Sequence, residues 1–131
     1  MTISLNEYIT ASGMHPERLK SFELTAQIII NAKDLLAHVN PMLDFLGLTP
    51  KVTSGFRPSS VNAALPNSAK KSAHMTGQAV DLEDKDGSLK EKCTPELLEK
   101  FGLYREATEA CPGWCHLQTR VIPSGHRIFM P

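Results

Sequence analysis

The chain has 131 residues, and its 14 basic and 14 acidic side chains give a formal net charge of zero at pH 7. A chain of this length is expected to fold as one domain, residues 1–131, around a single core. The balanced charge argues against the broad basic surface of a nucleic-acid-binding protein and against an electrostatic hold on a polyanionic cell wall.

Compartment signals are sparse. Residues Met1–Glu7 lack the basic and apolar regions of a secretory signal, and no apolar run reaches membrane-spanning length. The three cysteines, Cys93, Cys111 and Cys115, are an odd number without paired metal-ligand spacing, which favours reduced thiols. We therefore expect a protein that is cytoplasmic as synthesised and has no membrane span. Action outside the cell would then require lysis, a partner pore such as a holin, or assembly into a virion.

The N-terminal part of the chain is predicted to be helical scaffold. Leu5–Tyr8 is a short amphipathic segment, and residues 22–45 hold apolar side chains at three- and four-residue steps, the period of a core-facing helix. Pro41 either kinks this helix or starts a fresh first turn, and Gly47 is placed to end it. The recurring apolar positions are Leu24, Ile28, Leu35, Leu36, Val39, Leu43 and Leu46.

A strand and an irregular segment follow. Lys51–Pro58 begins with β-favouring residues and runs into a Gly/Pro turn, which would deliver Arg57 to a cleft. A guanidinium there can hold a carboxylate through two parallel hydrogen bonds, although an ordinary surface arginine fits the same pattern. Residues 59–71 predict irregular structure with at most one helical turn, suited to wrap the mouth of a cleft.

Two helix starts are indicated after residue 82. Ser88-x-x-Glu91 has the pattern of a capping box that follows an acidic turn, and Thr94-Pro95 marks a second start. Gly102 is placed to end the second helix.

The C-terminal part predicts a pair of antiparallel strands, residues 103–106 and 114–119, and a short apolar strand in the tail after residue 121. This pairing would bring Glu106 near His116, although ten positions separate them.

Three residues have the chemistry of a metal site. His74 and Asp81 lie seven positions apart, which suits a loop that bends at Gly77 and re-enters as a strand over 79–82. His116 is the best candidate for a third ligand. Two imidazoles and one carboxylate leave one position of a tetrahedral zinc open, as in catalytic sites. A lone histidine is also common as a surface or core residue, so spacing alone does not decide.

The motif Ser72-x-His74-x-x-Gly77-x-Ala79-x-Asp81, preceded by Ser54-Gly55-Phe56-Arg57 and followed by Trp114-x-His116, resembles the D-alanyl-D-alanine metallocarboxypeptidase family (peptidase M15-like). This family includes phage endolysins that cut peptidoglycan peptides, and its fold is shared with the hedgehog signalling domain. The resemblance runs from about residue 52 to residue 118.

The resemblance implies an α+β fold in which a small antiparallel sheet packs against helices, as in the hedgehog/DD-peptidase fold. It also implies that His74, Asp81 and His116 are zinc ligands and that Arg57 binds substrate. Ser72 would place its hydroxyl either on substrate or on a backbone group of the loop.

The sequence departs from the family at the general base. Many members carry an acidic residue three positions before the last histidine, where this chain has Gly113; others carry a histidine two positions before it, where this chain has Trp114. Glu106 is our substitute, because of its strand-end location, and Glu109 is the second candidate. Either carboxylate is also compatible with a plain surface role.

The sequence is therefore compatible with two functions. The first is a zinc-dependent peptidase, a carboxypeptidase or endopeptidase that hydrolyses amide bonds of peptidoglycan stem peptides. The second is a catalytically weak or inactive zinc-binding module that recognises the wall, for example in a virion. Zinc is the metal favoured by the ligand types, and manganese or cobalt would also suit them. The bond that is cut stays open between D-alanyl-D-alanine, L-alanyl-D-glutamate and a cross-bridge.

Overall fold

A mixed five-stranded sheet forms one layer of the computed structural model, which describes residues 3–66 and 71–131. The spatial order of its strands is β1-β2-β4-β3-β5. The first four strands pair antiparallel, whereas β5 pairs parallel to β3. The strands are β1 (Val52–Ser54), β2 (Ala79–Glu83), β3 (Tyr104–Glu106), β4 (Trp114–Gln118) and β5 (Ile128–Phe129).

The predicted antiparallel sheet is thus correct for four strands and wrong for the fifth. After β4 the chain crosses to the outer edge of β3 through residues 119–127, so its next strand again runs opposite to β4. A strand opposite to β4 is necessarily parallel to β3, which is itself antiparallel to β4. The predicted strand in the tail and the predicted β3–β4 pair are both confirmed.

One 3₁₀ turn, Pro16–Lys20, lies between the first two helices, and a second, Thr108–Ala110, lies between β3 and β4. In the described residues the α-helices are α1 (Leu5–Thr10), α2 (Ala26–Leu46), α3 (Ser59–Ala64), α4 (Ser88–Lys92) and α5 (Pro95–Phe101). None of them is long and apolar enough to cross a membrane. The α+β class predicted from the sequence is confirmed.

The long helix α2 starts later than predicted because Thr25 is its cap. The Thr25 hydroxyl accepts a hydrogen bond from the Ile28 amide at 3.3 Å, and the helix ends at Gly47 as predicted. Pro41 lies inside the helix. The buried face of α2 packs against the sheet residues Val80, Leu82 and Leu117.

Residues 59–64 form more helix than the single turn predicted. The carboxylate of Glu23 accepts a hydrogen bond from the Ser59 amide at 3.0 Å, which satisfies one of the free donors at the start of α3. The remainder of the predicted irregular segment includes residues 67–70, which lie outside the described residues.

The predicted capping box at Ser88 is wrong. Helix α4 is capped instead by the buried Asp84, whose two carboxylate oxygens accept hydrogen bonds from the amides of Leu89 and Lys90, each at 2.9 Å. The Asp84 carboxylate, from the preceding turn, binds these amides in place of the Ser88 hydroxyl. The other predicted start, with Thr94 as cap and Pro95 in the first turn, is confirmed.

Lys90 is a buried cation that ties α4 to the start of β4. Its ammonium group donates to the backbone carbonyls of Cys111 and Trp114 and lies 3.9 Å from the Asp84 carboxylate. Only 3% of Lys90 is exposed. The turn between the second 3₁₀ segment and β4 is therefore held by the Lys90 ammonium group, which is itself close to the Asp84 carboxylate.

Candidate metal centre

The three predicted ligands converge. Asp81 on β2 and His116 on β4 are direct cross-strand partners, and His74 comes from the loop before β2. Each offers one ligand atom, and these atoms lie within 4.8 Å of one another. Asp81 Oδ1 lies 2.9 Å from His116 Nδ1 and 3.2 Å from His74 Nε2. The sheet register alone brings two of the three together.

The loop that carries His74 bends at Gly77, as predicted. Gly77 has a φ of +75°, and a Cβ atom there would lie 2.7 Å from the Ile28 carbonyl oxygen on α2. Both the positive φ and the contact with α2 exclude a side chain. The bend is closed by a hydrogen bond of 2.9 Å from the Gln78 amide to the Ala73 carbonyl. The glycine therefore lets the loop lie against the helix while His74 faces the sheet.

The outer nitrogens of both imidazoles have oxygen partners. His74 Nδ1 lies 2.9 Å from the Gly55 carbonyl oxygen, and His116 Nε2 lies 2.7 Å from Gln118 Oε1. A carbonyl only accepts, so His74 Nδ1 donates, and Nε2 is the nitrogen that faces Asp81 and is available to a cation. Oxygen partners of this kind orient metal-binding histidines in proteins.

The donor set fits a divalent cation. Both histidines are buried, with 3% of His74 and 5% of His116 exposed. Burial alone would raise the pKa of Asp81, but the imidazoles of His74 and His116 outweigh it and hold that pKa well below its ordinary value. Burial would lower the pKa of His116, yet the hydrogen bond to Asp81 raises it. Two imidazole nitrogens and a carboxylate oxygen are ligand types that suit zinc.

The three ligands face an open cleft of about 710 Å³. Its other described lining residues combine charged, polar and apolar side chains: Arg57, Leu65, Pro66, Ser72, Glu106, Ala110, Trp114 and Pro131. A space of this size accommodates a small-molecule or peptide-sized ligand.

Arg57 lies at this cleft, as predicted. Its guanidinium donates to Asn62 Oδ1 at 3.0 Å and to Ser54 Oγ at 3.2 Å, while its backbone amide donates to the His74 carbonyl at 3.1 Å. Burial lowers the pKa of Arg57, an effect that the negative charge of Asp81 opposes. Arginine stays charged at any physiological pH, so a positioned cation borders the site. Its contact with substrate stays a prediction.

Ser72 uses its hydroxyl within the loop. Ser72 Oγ accepts a hydrogen bond from the His74 backbone amide at 3.2 Å, which is the second of the two uses predicted for it. The residue also lines the cleft, and its hydroxyl proton remains a potential donor. A role in substrate binding stays a prediction.

Glu106 lies beside the three candidate ligands, whereas Glu109 does not. Glu106 Oε2 is 3.7 Å from His116 Nε2, and 18% of the Glu106 side chain is exposed. Glu109 is exposed on the 3₁₀ turn and is absent from the described lining of the cleft. The predicted proximity of Glu106 to His116 is confirmed, and its role as a base stays a prediction.

Gly113 explains why no acidic residue stands three positions before His116. Its φ of +94° lies in the region that L side chains rarely adopt. An aspartate or glutamate there would strain the turn that Lys90 holds.

Sequence reasoning missed two residues of the site, Gln118 and Cys111. Gln118 follows His116 by two positions on β4, so both side chains lie on one face of the strand. A polar residue two positions from a predicted ligand was the available signal. Cys111 gave no signal, because its contact with Glu106 depends on the turn before β4.

Comparison with known proteins identifies the family. The family model described as Peptidase M15 matches residues 7–116, which covers most of the chain and includes all three converging residues. A search of curated proteins and a search of solved structures each found no match. The finer expectation of a hedgehog/DD-peptidase fold therefore stays a prediction. The chain belongs to the peptidase M15 family.

Proposed function

We propose that this protein is a zinc-dependent peptidase that hydrolyses an amide bond in the stem peptides of peptidoglycan, as a carboxypeptidase or an endolysin-like endopeptidase. Membership of a metallopeptidase family supports hydrolysis of peptides. The observation that carries the proposal is the convergence of His74, Asp81 and His116 beside an open cleft.

His74, Asp81 and His116 would hold the zinc ion. When bound, zinc supplies a Lewis acid that polarises a carbonyl group and lowers the pKa of water to about 7. The oxygen partners of the outer nitrogens, the Gly55 carbonyl and Gln118, keep both rings in place for this task.

Glu106 would move the proton. Its Oε1 accepts from the Cys111 thiol, whereas its Oε2 is free of a hydrogen bond in the described residues and borders the cleft. We propose that Oε2 accepts a proton from the attacking water and then donates it to the leaving amine. A carboxylate placed for such transfers contributes about 10²–10⁴ in rate.

Arg57 would select the substrate. Peptidoglycan stem peptides carry free carboxylates, and a guanidinium held by Ser54 and Asn62 offers its remaining N–H groups to one of them. Trp114 and Leu65 add apolar walls for the adjoining peptide. A localised cation thus serves recognition in a chain whose net charge is zero.

A second candidate function is a zinc-binding module that recognises wall peptide and cuts it slowly or not at all. Two observations favour it. Gly113 occupies the position where the resembling family often carries a carboxylate, and Glu106 Oε2 lies 3.7 Å from the outer nitrogen of His116 rather than beside the nitrogen that faces Asp81.

The place of action follows from the substrate. Peptidoglycan lies outside the cytoplasmic membrane, so we propose that the protein acts after release from the cytoplasm or as part of a phage particle. A holin-type pore or a virion component would be its partner.

The test is release of peptide fragments from purified peptidoglycan by the zinc-loaded protein, read by mass spectrometry with and without 1,10-phenanthroline. We expect new amino and carboxyl ends whose appearance the chelator abolishes, and their identity names the bond that is cut. Intact peptides in the presence of stoichiometric zinc would exclude the enzyme. Sedimentation of the protein with the same peptidoglycan would then support the binding module.

A further inference from the structure

We infer that Gln118 is a positioning residue that fixes which nitrogen of His116 is offered to the metal. This inference rests on the metal site of the proposed function, but not on cleavage of any peptide. Gln118 lies on β4 two residues after His116, and 5% of it is exposed. Its Oε1 atom lies 2.7 Å from His116 Nε2.

The orientation of the Gln118 amide is set by the backbone. Gln118 Nε2 lies 2.9 Å from the carbonyl oxygen of Arg120, which can only accept a hydrogen bond. The amide nitrogen must therefore face Arg120, and the amide oxygen must face His116. Because that oxygen only accepts, His116 Nε2 has to be the donor.

The state of the ring follows. Without a cation, His116 Nδ1 shares a proton with Asp81 Oδ1 at 2.9 Å. An imidazole that keeps its proton on Nε2 offers the Nδ1 lone pair at the centre of the site once a cation replaces that shared proton. The opposite tautomer would place a lone pair against the Gln118 oxygen and block Nδ1 with a proton. Gln118 thus excludes the form of His116 that cannot bind a cation.

Glu106 does not duplicate this role. Its Oε2 atom is 3.7 Å from His116 Nε2, beyond the range of a hydrogen bond, whereas Gln118 is a full ångström closer. Because Gln118 Oε1 accepts the hydrogen bond from His116 Nε2, Glu106 is not needed as its acceptor.

Arg120 contacts both Gln118 and the loop that carries His74. Its carbonyl holds Gln118, and its guanidinium donates to Thr76 Oγ1 at 2.8 Å and to the Lys71 carbonyl at 2.6 Å, both in the loop that carries His74. The same residue therefore braces the surroundings of both imidazoles. Gln118 and Arg120 lie beyond residues 7–116, the range that the family model matches.

The experiment compares Gln118→Met, which keeps the length of the side chain but removes the acceptor, with Gln118→Glu, which retains an acceptor oxygen for His116 but loses the donor to the Arg120 carbonyl. Gln27→Met on the exposed face of α2 is the matched control. Zinc affinity is measured by competition with a chromophoric chelator. The His116 ring is followed by ¹⁵N NMR of the zinc-loaded proteins, which reports the protonated nitrogen and the exchange rate of its proton.

We expect Gln118→Met to weaken zinc binding about 10–100-fold and to accelerate exchange of the His116 Nε2 proton. Gln118→Glu should stay within a few-fold of the wild type, and Gln27→Met should be unchanged. Thermal unfolding of the metal-free proteins identifies a variant that has lost its fold. If Gln118→Met is such a variant, Gln118→Glu decides: near-wild-type zinc affinity and slow exchange of the His116 Nε2 proton support the inference, and fast exchange with weak binding overturns it. Wild-type affinity and slow proton exchange in folded Gln118→Met would overturn the inference. If the wild type binds zinc but cuts no peptidoglycan, the proposed function fails and the inference is still decided by these two readouts.

Discussion

The thiol of Cys111 donates a hydrogen bond to Glu106 Oε1 at a distance of 3.3 Å. Burial, reinforced by the neighbouring Glu106 carboxylate, raises the pKa of Cys111 to about 12, so the thiol keeps its proton throughout the neutral range. One carboxylate oxygen of Glu106 therefore accepts from a thiol that stays protonated, and the residue itself lines the cleft. Lys90 supports this arrangement, because its ammonium group binds the Cys111 carbonyl.

The Cys111 contact predicts that Cys111→Ala lowers kcat about tenfold or more with little change in KM. A hydrogen bond to a charged group contributes about 1.5–3 kcal/mol, and each 1.4 kcal/mol corresponds to about tenfold in rate. Cys111→Ser keeps a donor and should recover most of the rate. Cys93→Ser, at another buried thiol, is the control. Equal kcat values for Cys111→Ala and wild type would show that the thiol does not orient the base.

Glu106→Gln should lower kcat about 10²–10⁴-fold while zinc content stays at the wild-type level, because the amide cannot take a proton. Glu109→Gln, on the exposed 3₁₀ turn, should leave kcat unchanged. Steady-state rates on the released peptide and metal analysis of the same samples check this. A loss confined to Glu109→Gln would move the base to that residue.

Gly77→Ala should destabilise the fold more than Gly87→Ala, although both glycines have a φ of +75°. The positive φ costs an alanine about 1–2 kcal/mol at either position. Only at Gly77 would the new Cβ also lie 2.7 Å from a backbone carbonyl, that of Ile28. We expect an additional cost of about 1–3 kcal/mol there, measured by urea unfolding, together with weaker zinc binding. Equal losses of stability would mean that the loop around His74 shifts to accommodate the new Cβ atom without a further loss of folding free energy.

Lys90→Met should lower the free energy of unfolding by about 3 kcal/mol, because it leaves the buried Asp84 carboxylate without its nearest cation and two carbonyls without a donor. Lys92→Met, at an exposed position of the same helix, is the matched control and should change stability by less than about 0.5 kcal/mol. Similar urea midpoints for both variants would show that the buried lysine is not needed for stability.

The local patterns in the sequence predicted the scaffold, and the family resemblance identified the three residues that converge. The three- and four-residue spacing identified α2, and Gly47 and Thr94 mark helix ends that the structure has. The loop bend at Gly77 also follows from turn chemistry, whereas the pairing of Asp81 with His116 across β2 and β4 was not predicted. The predicted local features depend on neighbours in sequence.

Features set by distant contacts were not predictable in this way. Asp84 displaced Ser88 as the cap of α4 because a carboxylate five residues before Leu89 folds back onto its amide. The parallel pairing of β5 depends on where the chain crosses the sheet. The role of Gln118 depends on the Arg120 carbonyl, which fixes the orientation of the Gln118 amide. Such contacts are decided by the assembled fold.

The central claim is that His74, Asp81 and His116 hold one divalent cation, and its most direct test is metal analysis with zinc titration of wild type and of the three single alanine variants. We predict one zinc ion per wild-type chain and loss of stoichiometric binding in each variant. A wild-type protein that binds no zinc, or variants that all retain it with unchanged affinity, would contradict this account.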